Sequence, residues 1–242
     1  MKLEKSLVQN NSKIVFVSGA NRGIGFEFVR QLIGKSHKVI AGYRDENRSQ
    51  DLLEFGKKSE NLFPFKVDVT SEKELSELKS FISSEFGKLD FLINNAGINE
   101  NRSAKTVEMD LQDLTHIFNV NLGSAFLATK FLHSLLLKGE NPKIINLSSH
   151  LASISLSNGY SVPYSISKVA LNMLTKNQAT EFQEDKISVC AISPGWVRTA
   201  MGGNSAPLSA EESVSKILET VENLSLSESG QFLDIDGNKI PY

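Results

Sequence analysis

The chain has 242 residues, of which 40% are hydrophobic and 22% are charged, as is ordinary for a soluble globular protein. Its 26 basic and 28 acidic residues give a net charge of −2, so no basic surplus favours nucleic-acid binding. The single cysteine, Cys190, excludes an intramolecular disulfide, and the four histidines share no spacing with other metal ligands. We therefore expect neither a nucleic-acid partner nor a metal site.

Two kinds of targeting segment are not found in the sequence. The N-terminal stretch MKLEKSLVQNNSK has no apolar core of signal-peptide length. Nowhere do about 18 apolar residues follow one another, as a membrane-spanning helix requires. These observations predict a cytoplasmic protein that has no membrane span.

Short apolar runs alternate with longer segments of helical periodicity. The predicted strands are, in chain order, KIVFVS, HKVIAGY, LFPFKVDV, LDFLINNAG, PKIINLSS, KISVCAISPG and GQFLDID. The predicted helices are RGIGFEFVRQLIGK and then segments near 47–58, 71–87, 108–137, 163–184 and 210–223. Ser71 followed by Glu74 is the capping-box pattern, which marks the start of the third helix.

This alternation favours right-handed crossovers and a parallel sheet. Near-continuous apolar strands such as FLI and KIIN indicate burial on both faces of that sheet. We predict an α/β fold, a Rossmann-type, doubly wound parallel sheet of about seven strands with helices on both faces, formed by residues 1–242 as a single domain. In such sheets ligands bind beyond the carboxyl ends of the strands, where this sequence becomes small and polar.

The glycine-rich segment SGANRGIG follows the first strand and opens the first helix. Its glycines would let the backbone approach a pyrophosphate, which the positive end of a helix attracts. The spacing G-x-x-x-G-x-G differs from the G-x-G-x-x-G fingerprint, and tight packing of the helix on the strand would also select glycines. The strand-then-helix context favours a dinucleotide, and the lack of G-K-[ST] disfavours a P-loop nucleotide hydrolase.

The end of the second strand bears on which dinucleotide binds. An arginine there accepts a ribose 2′-phosphate, whereas an acidic residue holds the 2′-hydroxyl. The chain has Arg44 followed directly by Asp45, and Arg22 lies within the glycine-rich segment. Two arginines favour NADP(H), while Asp45 keeps NAD(H) possible.

Tyr164 precedes Lys168 by four residues in YSISK, at the start of a predicted helix. Residues four apart share one face of a helix. A lysine ammonium held beside a tyrosine lowers the pKa of the phenol from its usual value of about 10, which makes it a usable proton donor. Pro163 suits the first helical turn, where its missing N–H costs little.

The chain resembles the short-chain dehydrogenases/reductases across nearly its whole length, and it looks most like the carbonyl-reductase and C-factor-like members. The matching motifs are SGANRGIG, DV at 68–69, NNAG at 94–97, VN at 120–121, NLSS at 146–149, YSISK at 164–168 and PGWVRT at 194–199. Each alone is weak, but together and in this order they are specific to the family.

The resemblance implies a catalytic set. Tyr164 matches the family's proton donor, and Lys168 matches the residue that lowers the pKa of that tyrosine and binds the nicotinamide ribose. Ser149 matches the residue that hydrogen-bonds the substrate oxygen, and Asn121 matches the asparagine of a proton relay. Ser149 lies fifteen residues before Tyr164, slightly more than the usual gap, so Ser148 remains an alternative.

The resemblance also implies the residues that bind the cofactor and the substrate. The cofactor-binding residues are Gly19, Asn21, Arg22, Gly23, Ile24, Gly25, Arg44, Asp68, Val69, Asn95, Ala96, Gly97, Tyr164, Lys168, Pro194, Gly195, Val197 and Thr199. The substrate-binding residues are Ser149, Leu151, Tyr164, Trp196 and Met201, although Leu151, Trp196 and Met201 would serve a core equally well. The segment 196–210 is rich in small residues and is expected to be a mobile flank of an open substrate site.

The predicted function is an NADP(H)-dependent oxidoreductase acting on a small-molecule carbonyl or alcohol substrate. An alternative is a dinucleotide-sensing or signalling protein on the same fold, with little turnover. The helices near 108–137 and 163–184 are long enough to pack between subunits, so a homo-oligomer is possible. Relatives of the carbonyl-reductase kind include monomers, and a monomeric state remains open.

Overall fold

A computed structural model describes residues 12–100 and 105–242 of the chain. Within these residues, seven strands form one sheet: β1 (Ile14–Val17), β2 (Lys38–Tyr43), β3 (Leu62–Lys66), β4 (Phe91–Asn94), β5 (Lys143–Leu147), β6 (Ser188–Ile192) and β7 (Gln231–Leu233). Every neighbouring pair is parallel, and the order is β3-β2-β1-β4-β5-β6-β7. The predicted doubly wound parallel sheet is therefore confirmed.

In the same described ranges the helices are α1 (Gly23–Gly34), α2 (Gln50–Gly56), α3 (Glu72–Glu85), α4 (Leu111–Phe118), α5 (Ser124–Leu136), α6 (Val162–Glu181) and α7 (Ala210–Asn223). The sequence predicts one helix over 108–137, but the structure has α4 and α5 separated by a π-helical turn at Asn119–Gly123. This turn places the Asn121 amide inward against the backbone of Ile98. That long-range contact has no signature in helical periodicity.

Helices cover both faces of the sheet, and alternate strand residues supply two cores. Val15 and Val17 point to the core formed with α1, α2 and α7, which also contains Phe28 and Val214. Phe16, between them, points to the opposite core, formed with α3, α5 and α6. Period-two alternation in fully buried strands thus divides the apolar residues between two helical layers.

The order of the strands reverses between β1 and β4, because the chain leaves β1 toward β2 and later returns to β4 on the other side. The segments that follow β1 and β4 diverge at this point and leave a crevice above the carboxyl ends of both strands. The polar residues that end strands β1, β2, β4, β5 and β6 meet around this crevice.

An apolar groove of about 1,110 Å³ lies on the outer side of α4, α5 and α6. Its exposed lining includes Leu111, Phe126 and Met173. Packing of these helices between subunits stays a prediction. No helix in the described part of the chain has both the length and the apolar character that crossing a membrane requires.

Candidate active site

The turn between β1 and α1 is shaped by its glycines. Gly19 and Gly23 have φ angles of +62° and +55°, which residues other than glycine rarely adopt. The Asn95 amide donates to the carbonyls of Ser18 (2.9 Å) and Gly19 (3.0 Å), and the Ser18 hydroxyl accepts from the Asn95 backbone N–H (3.0 Å). The segment after β4 therefore holds the glycine turn against the sheet.

Gly25 packs so closely on this turn that a methyl group does not fit. A Cβ at Gly25 would collide with the carbonyl oxygen of Gly19 and lie 2.5 Å from the Asn95 amide nitrogen. We expect Gly25→Ala to lower the free energy of unfolding by about 1–3 kcal/mol, the usual cost of overpacking. The matched control is Gly34→Ala at the other end of α1, because a Cβ there meets nothing within 4 Å.

Urea unfolding of both variants checks this prediction. Gly34→Ala should equal or exceed the wild-type chain in stability, because alanine restricts the unfolded state and favours the helix. Equal stability of Gly25→Ala and Gly34→Ala would show that the turn moves away from the methyl group without cost.

The end of β2 places Arg44 at the crevice. Its guanidinium lies 3.9 Å from the carboxylate of Asp68, which is further held by the hydroxyl and N–H of Thr70. The predicted capping box of α3 is half formed: Ser71 accepts from the N–H of Glu74, but the Glu74 carboxylate accepts from the N–H of Asp68 at 2.8 Å. The Glu74 side chain thus fixes the Asp68 backbone beside the crevice instead of completing the cap.

Asp45 turns toward the start of α2. Its carboxylate accepts from the N–H of Asn47 at 2.9 Å and lies 3.6 Å from the guanidinium of Arg48. It does not line the crevice, whereas Arg44 does. The positive residue of the Arg44–Asp45 pair is therefore the one that faces the cavity.

Tyr164 and Lys168 lie on one face of α6, as their spacing predicts. The helix begins at Val162, after Ser161 in a left-handed conformation (φ +55°), and Pro163 occupies its first turn. Lys168 Nζ lies 5.7 Å from the centroid of the Tyr164 ring. Tyr164 is 8% and Lys168 4% exposed, so both side chains are largely removed from water.

The ammonium group of Lys168 is buried. It donates to the carbonyl oxygen of Leu147, at the end of β5, at 2.6 Å. Burial lowers the pKa of Lys168 from 10.5 to about 8, because desolvation disfavours the charged form. Most molecules still carry the ammonium at pH 7, which lies below that pKa.

Asn121 lies in the π-helical turn, 1% exposed. Its amide accepts from the N–H of Ile98 (2.8 Å) and donates to the carbonyl of Ile98 and the hydroxyl of Ser167 (2.9 Å each). A Cβ at Gly97 would lie 3.3 Å from Asn121 Oδ1 and 3.6 Å from Lys168 Nζ. Asn121, Gly97 and Lys168 therefore meet, and the missing side chain at 97 makes the close approach possible.

The two serines after β5 point in different directions. Ser148 is 2% exposed, and its hydroxyl donates to Asn172 Oδ1 at 2.7 Å. The Ser149 hydroxyl accepts from the N–H of Leu151 at 3.2 Å, at the start of a short 3₁₀ turn. A hydroxyl accepting one hydrogen bond keeps its proton to donate, so Ser149 rather than Ser148 has a proton to offer a ligand.

The loop after β6 is closed by hydrogen bonds of its own. The Trp196 indole donates to the carbonyl of Gly202 (2.8 Å), and the Arg198 guanidinium donates to the carbonyls of Ala206 (3.0 Å) and Pro207 (2.6 Å). These bonds cross the segment predicted to be mobile. The Thr199 methyl rests against the glycine turn, 3.3 Å from the position of a Cβ on Gly23.

These elements enclose a cavity of about 540 Å³. Most of the predicted site residues line it: Gly19, Asn21, Arg22, Gly23, Ile24, Gly25, Arg44, Asp68, Val69, Asn95, Ala96, Gly97, Tyr164, Lys168, Pro194, Thr199 and Met201. The predicted residues that do not line it are Asn121, Ser149, Leu151, Gly195, Trp196 and Val197. The cofactor and substrate roles of both groups stay predictions.

The structure adds lining residues that were not predicted as site residues, chiefly Tyr43, Ile98 and Arg198, and it also places Ser148, the alternative to Ser149, on the cavity. Tyr43 directly precedes Arg44 and Arg198 lies within PGWVRT, so their neighbours in the sequence were available as a signal. The lining includes four basic residues, Arg22, Arg44, Arg198 and Lys168, and one acidic residue, Asp68. The described lining therefore carries a positive net charge, as a site for an anionic ligand requires.

The model of the short chain dehydrogenase family matches residues 13–208. The NADPH-bound carbonyl reductase from chicken fatty liver superposes with a TM-score of 0.90 at 32% identity, covering 96% of this chain and 99% of that one. The 3-oxoacyl-(acyl-carrier-protein) reductase FabG of Buchnera aphidicola is 30% identical over 90% of this chain and 89% of its own.

The C-signal protein of Myxococcus xanthus is 31% identical over 157 residues, which are 64% of this chain and 94% of its own. The family model covers most of the chain, and the sheet has the same Rossmann-type fold as the chicken carbonyl reductase. The chain belongs to the short chain dehydrogenase family and is an oxidoreductase of that family.

Proposed function

We propose that the protein is an NADP(H)-dependent oxidoreductase that interconverts a small carbonyl compound and its alcohol, with Tyr164 as the proton donor and residues 1–242 acting as one domain. The observation that carries the proposal is a tyrosine beside a buried lysine, both facing a cationic cavity above a glycine turn. The chicken carbonyl reductase, which was solved with NADPH, supports the choice of cofactor and reaction.

The residues of the cavity fit a nicotinamide dinucleotide. The carbonyl and amide groups around Gly25 and Gly19 leave no room for side chains, so the backbone itself forms the wall against which a pyrophosphate would lie. Arg22 and Arg44 supply positive charge near the glycine turn and the end of β2. Lys168, at the other end of the cavity, suits the nicotinamide ribose that the family resemblance assigns to it.

The bound cofactor supplies the hydride, and the protein supplies orientation and the proton. As negative charge grows on the carbonyl oxygen, Ser149 donates a hydrogen bond to it and Tyr164 delivers the proton. The Lys168 ammonium stabilises the tyrosinate that this transfer leaves behind. Asn121 holds the segment after β4 through Ile98, and that segment also lines the cavity.

Arg44 is proposed to select NADP(H) over NAD(H). Arg44 lines the cavity, with its guanidinium 3.9 Å from the Asp68 carboxylate, while the neighbouring Asp45 carboxylate is engaged by Asn47 and Arg48 at the start of α2. An acidic side chain that points elsewhere neither holds a 2′-hydroxyl nor repels a 2′-phosphate.

Titration with NADPH and with NADH, followed by cofactor fluorescence, tests this proposal. We expect Arg44→Ala to weaken NADPH binding about ten-fold or more and NADH binding by less than about three-fold, because only NADPH carries the 2′-phosphate. Arg30→Ala on the outer side of α1 is the control and should change neither, since Arg30 pairs with Glu27 away from the cavity. Tighter binding of NADH by the wild-type chain would show that Asp45 outweighs the arginines.

Failure of the folded chain to bind either dinucleotide would overturn the proposed function. If the chain binds NADPH, a screen of aldehydes, ketones and 3-oxoacyl thioesters would identify the carbonyl substrate. These compounds are chosen because the relatives include a carbonyl reductase and a 3-oxoacyl reductase.

A second candidate function is dinucleotide-dependent signalling with little turnover. The similarity to the C-signal protein of Myxococcus xanthus favours it. The two functions differ in their need for Tyr164: reduction depends on its hydroxyl, whereas sensing depends on dinucleotide binding alone.

A further inference from the structure

Two buried polar pairs connect β5 to α6 beneath the Tyr164–Lys168 face. The Ser148 hydroxyl donates to Asn172 Oδ1 at 2.7 Å, and the Asn146 amide donates to Thr175 Oγ1 at 2.9 Å. All four residues are no more than 2% exposed. We refer to these two pairs, Ser148–Asn172 and Asn146–Thr175, as the β5–α6 ladder.

The spacing of the ladder follows from the two elements that form it. Asn146 and Ser148 are two residues apart and so project from one face of an extended chain, opposite to Ile145 and Leu147. Asn172 and Thr175 are three residues apart and project from one face of α6. The upper pair, Ser148–Asn172, lies nearer the cavity, which Ser148 lines.

We propose that Ser148 and Asn172 are positioning residues, which fix the end of β5 opposite Tyr164 and Lys168 in the register that the reaction requires. Ser148 stands between Leu147, whose carbonyl accepts from Lys168, and Ser149, the proposed donor to the substrate oxygen. Asn172 lies one turn after Lys168 on the same helix. The inference rests on the proposed reductase function.

The ladder is not expected to stabilise the fold more than an apolar contact between the same two elements would. Within the ladder, Asn172 Nδ2 is buried and has no hydrogen-bond partner among the residues that the structure describes. The same holds for Oδ1 of Asn94, whose amide donates to Asn146 Oδ1 at 2.8 Å. A buried polar atom without a partner costs about 1–3 kcal/mol, so an apolar pair of the same shape would hold the two elements together at least as well. A hydrogen bond is directional and sets the register of β5 against α6, which an apolar contact does not.

Four variants separate positioning from stability. Ser148→Ala removes the upper hydrogen bond, and Thr175→Val removes the lower one with the shape preserved. Ser148→Thr keeps a hydroxyl at the upper position. Ser148→Ala/Asn172→Leu replaces the upper pair by an apolar pair that leaves no polar atom unpartnered.

We expect Ser148→Ala to lower kcat about 10- to 100-fold with a KM for NADPH within about two-fold of wild type, because a small misplacement of reacting groups costs rate more than binding. Thr175→Val should lose comparable stability in urea unfolding and keep kcat within about two-fold. Ser148→Thr should retain most of kcat. The double variant should regain stability but not kcat.

Loss of kcat in Thr175→Val equal to that in Ser148→Ala, or recovery of kcat by the double variant, would overturn the inference. Crystal structures of Ser148→Ala and Thr175→Val give a readout that does not depend on turnover. The distance from Lys168 Nζ to Leu147 O, 2.6 Å in the wild-type chain, should exceed 3.5 Å only in Ser148→Ala. If the wild-type chain reduces no carbonyl, the proposed function fails, and this distance alone decides whether the upper pair positions Lys168.

Discussion

Replacement of Tyr164 by phenylalanine is expected to lower kcat for carbonyl reduction about 10³-fold, within the range that general acid catalysis contributes. The ring and its packing remain, so the dissociation constant for NADPH should change by less than about three-fold. Stopped-flow fluorescence gives the binding constant, and the loss of NADPH absorbance gives kcat. A loss confined to kcat assigns the hydroxyl to the chemical step rather than to binding.

Tyr160→Phe is the matched control for this experiment. Tyr160 is 49% exposed, and the residue four positions after it is Tyr164, not a cation. Removal of the Tyr160 hydroxyl should leave kcat within about two-fold of wild type. Equal kcat in Tyr164→Phe and Tyr160→Phe would contradict the assignment of the proton donor. Retention of a biological effect by an inactive Tyr164→Phe chain that still binds NADPH would favour the signalling function.

The fold could be predicted because the strands are buried on both faces and the helices are amphipathic, so both patterns are strong. The fourth predicted helix shows the limit of this reasoning. Its interruption at Asn119–Gly123 accompanies two hydrogen bonds between the Asn121 side chain and the backbone of Ile98, a residue 23 positions earlier in the chain. No local periodicity records such a contact, which depends on how two distant segments pack.

The candidate site could be predicted as a set of motifs, but not in the direction of each side chain. The sequence left Ser148 and Ser149 as alternatives, and the structure separates them because neighbouring residues of an extended segment face opposite sides. The alternation of Ile145 and Leu147 with Asn146 and Ser148 was a usable signal. The pairing of Ser148 with Asn172 was not, because it needs the position of α6 on the sheet.

Asp45 illustrates the same limit at the cofactor end. Adjacent arginine and aspartate residues predict opposite dinucleotides, and the sequence alone does not say which one faces the ligand. The structure places Arg44 on the cavity and Asp45 on the turn before α2, where Asn47 and Arg48 engage it. Local turn geometry therefore bears on a choice that residue type leaves open.

The second large effect is expected at Lys168, where activity and stability should respond in opposite ways. We expect Lys168→Met to lower kcat about 10²- to 10³-fold, because the tyrosinate loses its neighbouring cation. Unlike Tyr164→Phe, it should also raise the KM for NADPH, since the ammonium is proposed to hold the nicotinamide ribose. Stability should not fall in parallel.

The expected stability follows from the burial that lowers the pKa of Lys168 to about 8 in the folded chain, against 10.5 for the exposed side chain. Below pH 8 both states carry the proton, and the folded state bears the full cost of a buried charge, about 3 kcal/mol by the linkage relation. Between pH 8 and 10.5 the unfolded state binds more protons than the folded state. The contribution of Lys168 to the free energy of unfolding therefore increases as pH rises through this window.

Methionine removes the charge but leaves the Leu147 carbonyl without the donor it has in the wild-type chain, at a cost of about 1–3 kcal/mol. Lys168→Met should therefore match or exceed the wild-type stability at pH 7, to within about 2 kcal/mol. From pH 7 to pH 10 the wild-type chain should gain about 2–3 kcal/mol relative to the variant. Burial lowers the pKa of Lys143 and raises the pKa of Cys190, but both residues are present in both chains, so their effects cancel in the difference.

Urea unfolding at pH 7 and pH 10, without cofactor, measures this difference. Lys176→Met, on the exposed side of α6, is the control and should follow the wild-type pH dependence, because an exposed ammonium has no burial cost to lose. The same pH dependence in the wild type and Lys168→Met would show that Lys168 does not titrate as a buried group. A cation that costs stability and is needed for turnover is what a chain retains for chemistry rather than for folding, because an apolar side chain would serve the fold equally well.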